Sequence, residues 1–477
     1  MINVKNLTLA DTGKIITKDI LSPWDRIKIG TVECITNSGV DNIIKLAHDA
    51  FLYSGNSFTK EDRMTFFDNA KNKLEEKFDY FSSLISLEGG KPIKDAQIEV
   101  KRAINGLELC KDCIKSSHGV EIPMNLNLAS KNKIAIDKEF PRGVVFAVSA
   151  FNHPLNLIVH QIGPALAAGC PVIIKPSAET PASCYEFVNI LFESHLPIEF
   201  CQMINVADHK VIEKFVCHED ISFLSFIGSS NVGWKLKSLL SPGSKCALEH
   251  GGVAPVILDN TIDLKKIMKP LVKACFYHAG QVCVSTQNII VHNDVIDQFV
   301  DLLSDEVSVL KIGDPLLSDT DVGPLIRPTE VDRVELIVNE AIKNGANLIK
   351  GGKRISDTCY ECTILKNPPI DSKVAQQEIF GPIVNIFGYN NIDEAIKLAN
   401  HNKFAFQSSV FTNNLSMALY CYEKLIAKTV LINEQTTFRV DWMPFGGINH
   451  SGEGVGGIPY SYADMSYKKT LIIDDSL

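Results

Sequence analysis

From Arg142 to about residue 240, short runs that are apolar throughout alternate with longer runs that are apolar on one side only. "GVVFAVSAF", "PVIIKPS", "EFCQMINV" and "ISFLSFIGS" are of the first kind. "LNLIVHQIGPALAAG", "PASCYEFVNILFES", "DHKVIEKFVCH" and "NVGWKLKSLLS" are of the second. A strand that is apolar at every position must be covered on both faces, and a helix after each strand supplies the cover. The pattern therefore predicts βαβ units in a doubly wound parallel sheet. Such sheets take their ligands at the carboxyl ends of the strands.

A second alternating block begins near Gly252, with "QNIIVHND", "VIDQFVDLLSDEVSVL", "PIVNIFGYN", "IDEAIKLANHN" and "FQSSVFTN". A chain of 477 residues is too long for one core, and two α/β domains suit it. The predicted division is one domain from residues 1–118 and 142–249 and a second from 250–460. Residues 119–141 alternate like a hairpin standing away from a core, and 461–477 end in a short strand with no partner nearby. Unpaired strands offer edges to another subunit, so a homodimer or homotetramer is expected.

The formal charge of −9 argues against a nucleic-acid or anionic-membrane partner. No secretory pattern opens the chain, and no apolar run approaches the roughly 20 residues of a membrane span. Thirteen cysteines, an odd number without a framework, suit a reducing cytoplasm. The pairs Cys110/Cys113 and Cys359/Cys362 could in principle form a four-thiolate zinc site. The first pair lies in a helical pattern far from the second, and no metal is expected.

Several motifs sit where this architecture places chemistry. Gly228 ends an apolar strand in "SFIGSSNVG", where Ser229 and Ser230 can cap the next helix and its N–H groups suit a pyrophosphate. Lys175 ends another strand in "IIKPSAETP", placed for a ribose or phosphate. Glu249, in "ALEHGG" at the domain junction, can serve as a general base. Asn152, in "AFNHPLN", can donate to an oxyanion. Cys283 lies in "YHAGQVCVSTQ"; a buried free cysteine is the commoner role for such a residue. The Gly452, Gly454, Gly457 pattern in "SGEGVGG" is not a dinucleotide fingerprint, because too little chain follows for a βαβ unit.

"FNHPLN", "KPSAETP", "FIGSSNVG", "LEHGG", "GQVC", "EIFGPI" and "MPFGG" occur in series across some 300 residues. In this set the chain resembles the aldehyde dehydrogenase superfamily over nearly its whole length. The resemblance implies a Rossmann-like NAD(P)-binding domain, a catalytic domain and small oligomerisation strands. It implies that Cys283 is the nucleophile, Glu249 the general base and Asn152 the oxyanion donor. Ser149, Ala150, Phe151, Lys175, Ser177, Ala178, Gly228, Ser229, Val232, Glu378 and Phe380 match cofactor-contacting positions. The implied reaction is attack by the Cys283 thiolate, loss of hydride to the nicotinamide, and hydrolysis of the thioester by water that Glu249 deprotonates.

Many NAD-preferring relatives carry a glutamate three residues after the lysine; here that position is Ala178, which predicts acceptance of NADP. "FNHPLN", "EHGG" and "FRVDWMPFGG" look like the branch acting on lactaldehyde, phosphonoacetaldehyde, glyceraldehyde phosphate and similar small polar aldehydes. His153, Arg102 and Arg439, with Val282 and Val284, would then line the substrate site, the cationic groups suiting an anionic substituent. The alternative for Arg439 is a structural pairing with Asp441. Rival functions are a CoA-acylating dehydrogenase, which Glu249 argues against, and a retired binding protein of the same fold.

Overall fold

The computed structural model describes residues 1–53 and 58–474. Its first sheet has six strands, in the spatial order Gly452–Glu453, Lys245–Glu249, Ile221–Ile227, Val144–Val148, Val172–Lys175 and Cys201–Met203. All are parallel except Gly452–Glu453, which runs antiparallel at the edge. The chain starts at the centre, winds outward through two strands, then crosses to the other side. That reversal lies between Val144–Val148 and Ile221–Ile227, and it opens a crevice at their carboxyl ends.

The alternation of side chains along Val144–Val148 divides the interior into two layers. Val145 and Ala147 pack in one core with residues of the helices Phe78–Gly89 and Ile93–Ser116. Val144, Phe146 and Val148 pack in another with the helices Val40–Tyr53 and His209–Val216. Between them the strand has no exposed position.

The second sheet has seven strands, in the order Asn347–Lys350, Thr363–Lys366, Ile383–Tyr389, Asn288–His292, Val256–Leu258, Gln407–Phe411 and Thr429–Ile432. Only Asn347–Lys350 is antiparallel to its neighbour. Cys110 and Cys113 lie in the core of the first sheet and Cys362 in that of the second. Among the described residues no group of metal-ligating side chains comes together.

The terminal strand is not unpaired, contrary to the sequence expectation. Ser466–Asp474 pairs antiparallel along its whole length with Lys133–Pro141, which also pairs with Val120–Ile122. The partners lie more than 300 residues apart, beyond the reach of a local pattern. The strand still leaves Leu471, Ile472 and Ile473 exposed.

Candidate active site

Three loops meet at the crevice of the first sheet. The loop 149–155 leaves Val144–Val148, and the Ser149 amide donates to the Lys175 carbonyl at 3.0 Å, tying it to the loop that follows Val172–Lys175. The Gly228 amide donates to the Glu249 carbonyl at 3.1 Å, tying the third loop to the last strand. Ser229 stands at the N-cap of the helix Ser230–Lys237 but makes no side-chain cap, and the Ser230 hydroxyl donates instead to the His450 carbonyl at 2.9 Å. The expected serine caps are absent; the helix begins with its N–H groups uncovered by them. Val232 lies half-buried in its first turn, and Ala150 and Phe151 line the loop 149–155, also half-buried.

The polar groups here fit a dinucleotide. The Ser149 hydroxyl and Glu378 Oε1 are both buried and without a hydrogen-bond partner among the described residues. Glu378 approaches from the second domain so closely that a Cβ on Gly251 would stand 1.5 Å from its Oε1. Burial pushes the Glu378 carboxyl up to about 8, with Arg333 opposing. Burial also brings the Lys175 ammonium down to about 8, with Cys34 opposing and Lys18 adding repulsion. Phe380, at φ 49°, sets its ring edge-on to Phe151 with centroids 5.7 Å apart. Ala178 is exposed, and Ser177 accepts a hydrogen bond from the Glu179 amide at 3.3 Å. The Glu179 carboxylate is held by Arg327 Nη1 at 3.1 Å.

Cys283 follows the turn Tyr277–Gly280, in which His278 (φ 49°), Ala279 (φ 56°) and Gly280 (φ 73°) are all left-handed. Such non-glycine residues cost about 1–3 kcal/mol each and persist only where surroundings over-determine them. His278 and Ala279 are fully buried, and a Cβ on Gly280 would stand 2.1 Å from the Gly381 carbonyl oxygen. Gln281 locks the exit. Its side chain donates to the carbonyls of His278 and Pro324 and accepts from the Ile326 amide at 2.9 Å. Its own carbonyl accepts from Asn152 Nδ2 at 2.9 Å, which joins the asparagine to the cysteine turn.

Val282 and Val284 pack with Phe406 and Phe445 into a small apolar cluster against which Cys283 rests. Burial pushes the Cys283 thiol up to about 12; Glu378 and Glu249 add to the rise and Arg439 opposes it. The resting group is thus a thiol, and the attacking thiolate of the sequence reading has to be formed by loss of its proton. Burial raises the Glu249 carboxyl too, against Arg439 and Lys428.

The basic side chains differ from expectation. Arg102 gives Nε (3.1 Å) and Nη2 (2.5 Å) to the two oxygens of Asp441, so it is held by a carboxylate and not directed at a substrate. His153 is buried, 3.4 Å from the Tyr277 hydroxyl, and burial with the nearby Lys91, Arg102 and Arg439 keeps it well below its usual range. It offers a neutral hydrogen bond and no charge. Arg439 is different: its Nη2 lies 3.3 Å from His160 Nδ1, and its buried Nε makes no hydrogen bond but stands 4.0 Å from Asp441 Oδ1, a long ion pair of the kind the structural alternative foresaw.

Two contributors escaped the sequence reading. His160 bonds Asp441 across 281 residues, and nothing local marks it. Gly456 lies so near Glu249 that a Cβ there would stand 2.0 Å from Oε1. The glycine-rich segment rejected as a dinucleotide motif therefore backs the Glu249 carboxyl, and its run of glycines beside a strand partner was the available signal.

Residues 11–471 match the model of the "Aldehyde dehydrogenase family". The 3-sulfolactaldehyde dehydrogenase of Priestia megaterium is 32% identical over 456 residues, covering 96% of this chain and 94% of that protein. The crystal structure of aldehyde dehydrogenase 21 from Physcomitrella patens, in complex with the reaction product succinate, superposes with a TM-score of 0.94 at 30% identity, covering 100% and 99% of the two chains. That of glyceraldehyde-3-phosphate dehydrogenase from Methanocaldococcus jannaschii, complexed with NADP, gives 0.91 at 32%, covering 96% and 98%.

Proposed function

The chain belongs to the aldehyde dehydrogenase family and is an oxidoreductase that acts on aldehydes with NAD or NADP; within that activity we propose a small anionic aldehyde as its substrate. The observation that carries the substrate reading is Arg439, a buried guanidinium whose Nε makes no hydrogen bond, close enough to Cys283 and Glu249 for its charge to act on both. The names of the relatives, acting on sulfolactaldehyde and glyceraldehyde 3-phosphate, support it.

In this reading Cys283 Sγ attacks the carbonyl carbon. Its proton passes to Glu249, a carboxyl already raised by burial and so suited to accept and release protons. Asn152 Nδ2 keeps one N–H on the Gln281 carbonyl and turns the other to the oxyanion of the thiohemiacetal. A nicotinamide dinucleotide, when bound, supplies the hydride acceptor; Glu378, Lys175 and Ser149 are the groups that would hold it. Glu249 releases the Cys283 proton to solvent, then deprotonates the water that hydrolyses the thioester left on Sγ. It returns that second proton to the departing Cys283 thiolate, and Arg439 holds the anionic end of the acyl group throughout. The absence of a carboxylate at Ala178, with Glu179 occupied by Arg327, supports acceptance of the NADP 2′-phosphate.

The exposed apolar residues of the terminal strand support a homo-oligomer, and thirteen free cysteines support a cytoplasmic setting. No helix among the described residues is long and apolar enough to cross a membrane.

The test pairs NAD and NADP separately with propanal, lactaldehyde, succinic semialdehyde and glyceraldehyde 3-phosphate, following the reduced cofactor, with Cys283→Ala as control. Higher kcat/KM on the anionic aldehydes is expected. Equal values for propanal would discard the substrate reading, and an active Cys283→Ala would discard the nucleophile.

A further inference from the structure

We propose that the buried ion pair of Lys91 and Glu99 is a positioning device that sets the spacing between Asn152 and Cys283; this rests on the oxyanion role given to Asn152 above. Lys91 Nζ and a Glu99 carboxylate oxygen form an ion pair whose two side chains are both wholly buried. The other oxygen, Glu99 Oε1, accepts the amides of Leu155 (2.9 Å) and Asn156 (3.1 Å). These open the helix Asn156–Ala168, whose N-cap residue Leu155 provides no side-chain cap. The carboxylate, borne on the helix Ile93–Ser116, supplies that cap from outside. It thereby anchors the end of the loop that carries Asn152 and His153.

Lys91 reaches the opposite wall. Its Nζ stands 5.9 Å from the centroid of the Tyr277 ring, and the Tyr277 hydroxyl lies 3.4 Å from His153 Nε2. Tyr277 opens the left-handed turn that leads through Gln281 to Cys283. One ion pair therefore touches both sides of the gap in which the oxyanion forms. A buried ion pair is a poor source of stability, since apolar replacements often do as well. A geometric role explains what stability does not.

A second carboxylate on the adjoining helix provides an internal control. Glu88 accepts the amides of Ala182 and Ser183, both at 2.8 Å, and so caps Pro181–Glu193. The device is the same, but the loop it anchors lacks Asn152.

The test is a double-mutant cycle on the full-length enzyme, with unfolding midpoints measured for every variant. Glu99→Leu is expected to lower kcat about 100-fold, as small misplacements remote from the chemistry do, with cofactor KM unchanged. In an Asn152→Ala background, itself slowed about 100- to 1,000-fold as the loss of an oxyanion donor predicts, Glu99→Leu should cost less than about 3-fold more. The pair Lys91→Met/Glu99→Gln, which keeps an oxygen acceptor for both amides without a stranded charge, should recover most of the loss. Glu88→Gln should multiply with Asn152→Ala. If Glu99→Leu does not fold, Glu99→Asp replaces it with the same expected non-additivity. Multiplicative losses for Glu99 and Asn152, or non-additivity for Glu88 as well, overturn the positioning role alone. Full activity of Asn152→Ala overturns the oxyanion reading, and this inference with it.

Discussion

Arg439 sits over the ring of Phe445, with its guanidinium carbon 3.6 Å from the centroid. The ring supports the guanidinium from one side, and His160 takes a hydrogen bond from its Nη2. Burial brings the His160 imidazole down to about 4, so it is neutral near neutral pH. Its Nε2 lies 2.9 Å from Asp441, an acceptor only, and therefore carries the proton, leaving Nδ1 to accept from Arg439. Arg102 and Arg439 share the single charge of Asp441, and the charge of Arg439 also acts on Glu249 and Cys283.

Replacing that charge gives the first prediction. Arg439→Gln should cost about 2–3 kcal/mol of transition-state binding for an anionic aldehyde, the range of a hydrogen bond to a charged group, or roughly 30- to 150-fold in kcat/KM. Propanal lacks the partner and should lose at least tenfold less. Steady-state kinetics on both substrates decides it, and equal losses would make Arg439 an electrostatic or structural residue only.

The adenosine end offers a second. Ala178→Glu places a carboxylate where a 2′-phosphate would sit, and two such charges about 4 Å apart repel by about 1 kcal/mol even in bulk water. kcat/KM for NADP should fall at least about fivefold and that for NAD should not. Fluorescence titration of each cofactor checks the binding step. Undiminished NADP affinity would place the 2′-phosphate elsewhere.

Arg439 and Ala178 both stand out in the sequence, and what else is legible there is bounded by physics. The parallel sheets were legible because a strand buried on both faces must be apolar throughout, as Val144–Val148 is. Cys283, Glu249 and Asn152 were marked by short motifs at strand ends and turns. Charge was not legible. Arg102 and Arg439 are alike as letters, yet Asp441 hydrogen-bonds one through contacts spanning 339 residues and meets the other only at 4.0 Å. His153 reads as a cation in a list of residues and becomes neutral only through burial. The strand Ser466–Asp474 found its partner by the same long-range folding that a local pattern omits.

The state of the nucleophile yields a third prediction. With the thiol pushed up to about 12, the thiolate fraction of Cys283 grows tenfold for each unit of pH anywhere below that value. Alkylation of the Cys283 peptide by iodoacetamide, followed by mass spectrometry in the cofactor-free enzyme, should therefore rise with a slope near one from about pH 7 to 9. A plateau within that window would mean an acidic thiol and a stronger cationic influence than Arg439 supplies.

Gly456→Ala tests the base without touching it. The Phe445 and Gly456 backbones are bridged to each other, the Phe445 amide donating to the Gly456 carbonyl at 3.0 Å, so the chain at 456 cannot easily retreat. The added Cβ would stand 2.0 Å from Glu249 Oε1 and 3.0 Å from the Phe445 carbonyl oxygen. Of the two, the carboxylate is the end of a flexible side chain and the carbonyl is backbone, so Glu249 must swing away. The cost to folding should be small, within the roughly 1 kcal/mol typical of point substitutions. The cost to catalysis should be large, because a displaced general base forfeits about 100-fold or more. Hydroxide can replace the lost base, so kcat in the variant should climb with pH up to about 9 more steeply than in the unaltered enzyme. Unfolding midpoints and pH–rate profiles separate the outcomes: an unchanged kcat at neutral pH would show that Glu249 does its work from another position than the one it occupies beside Gly456.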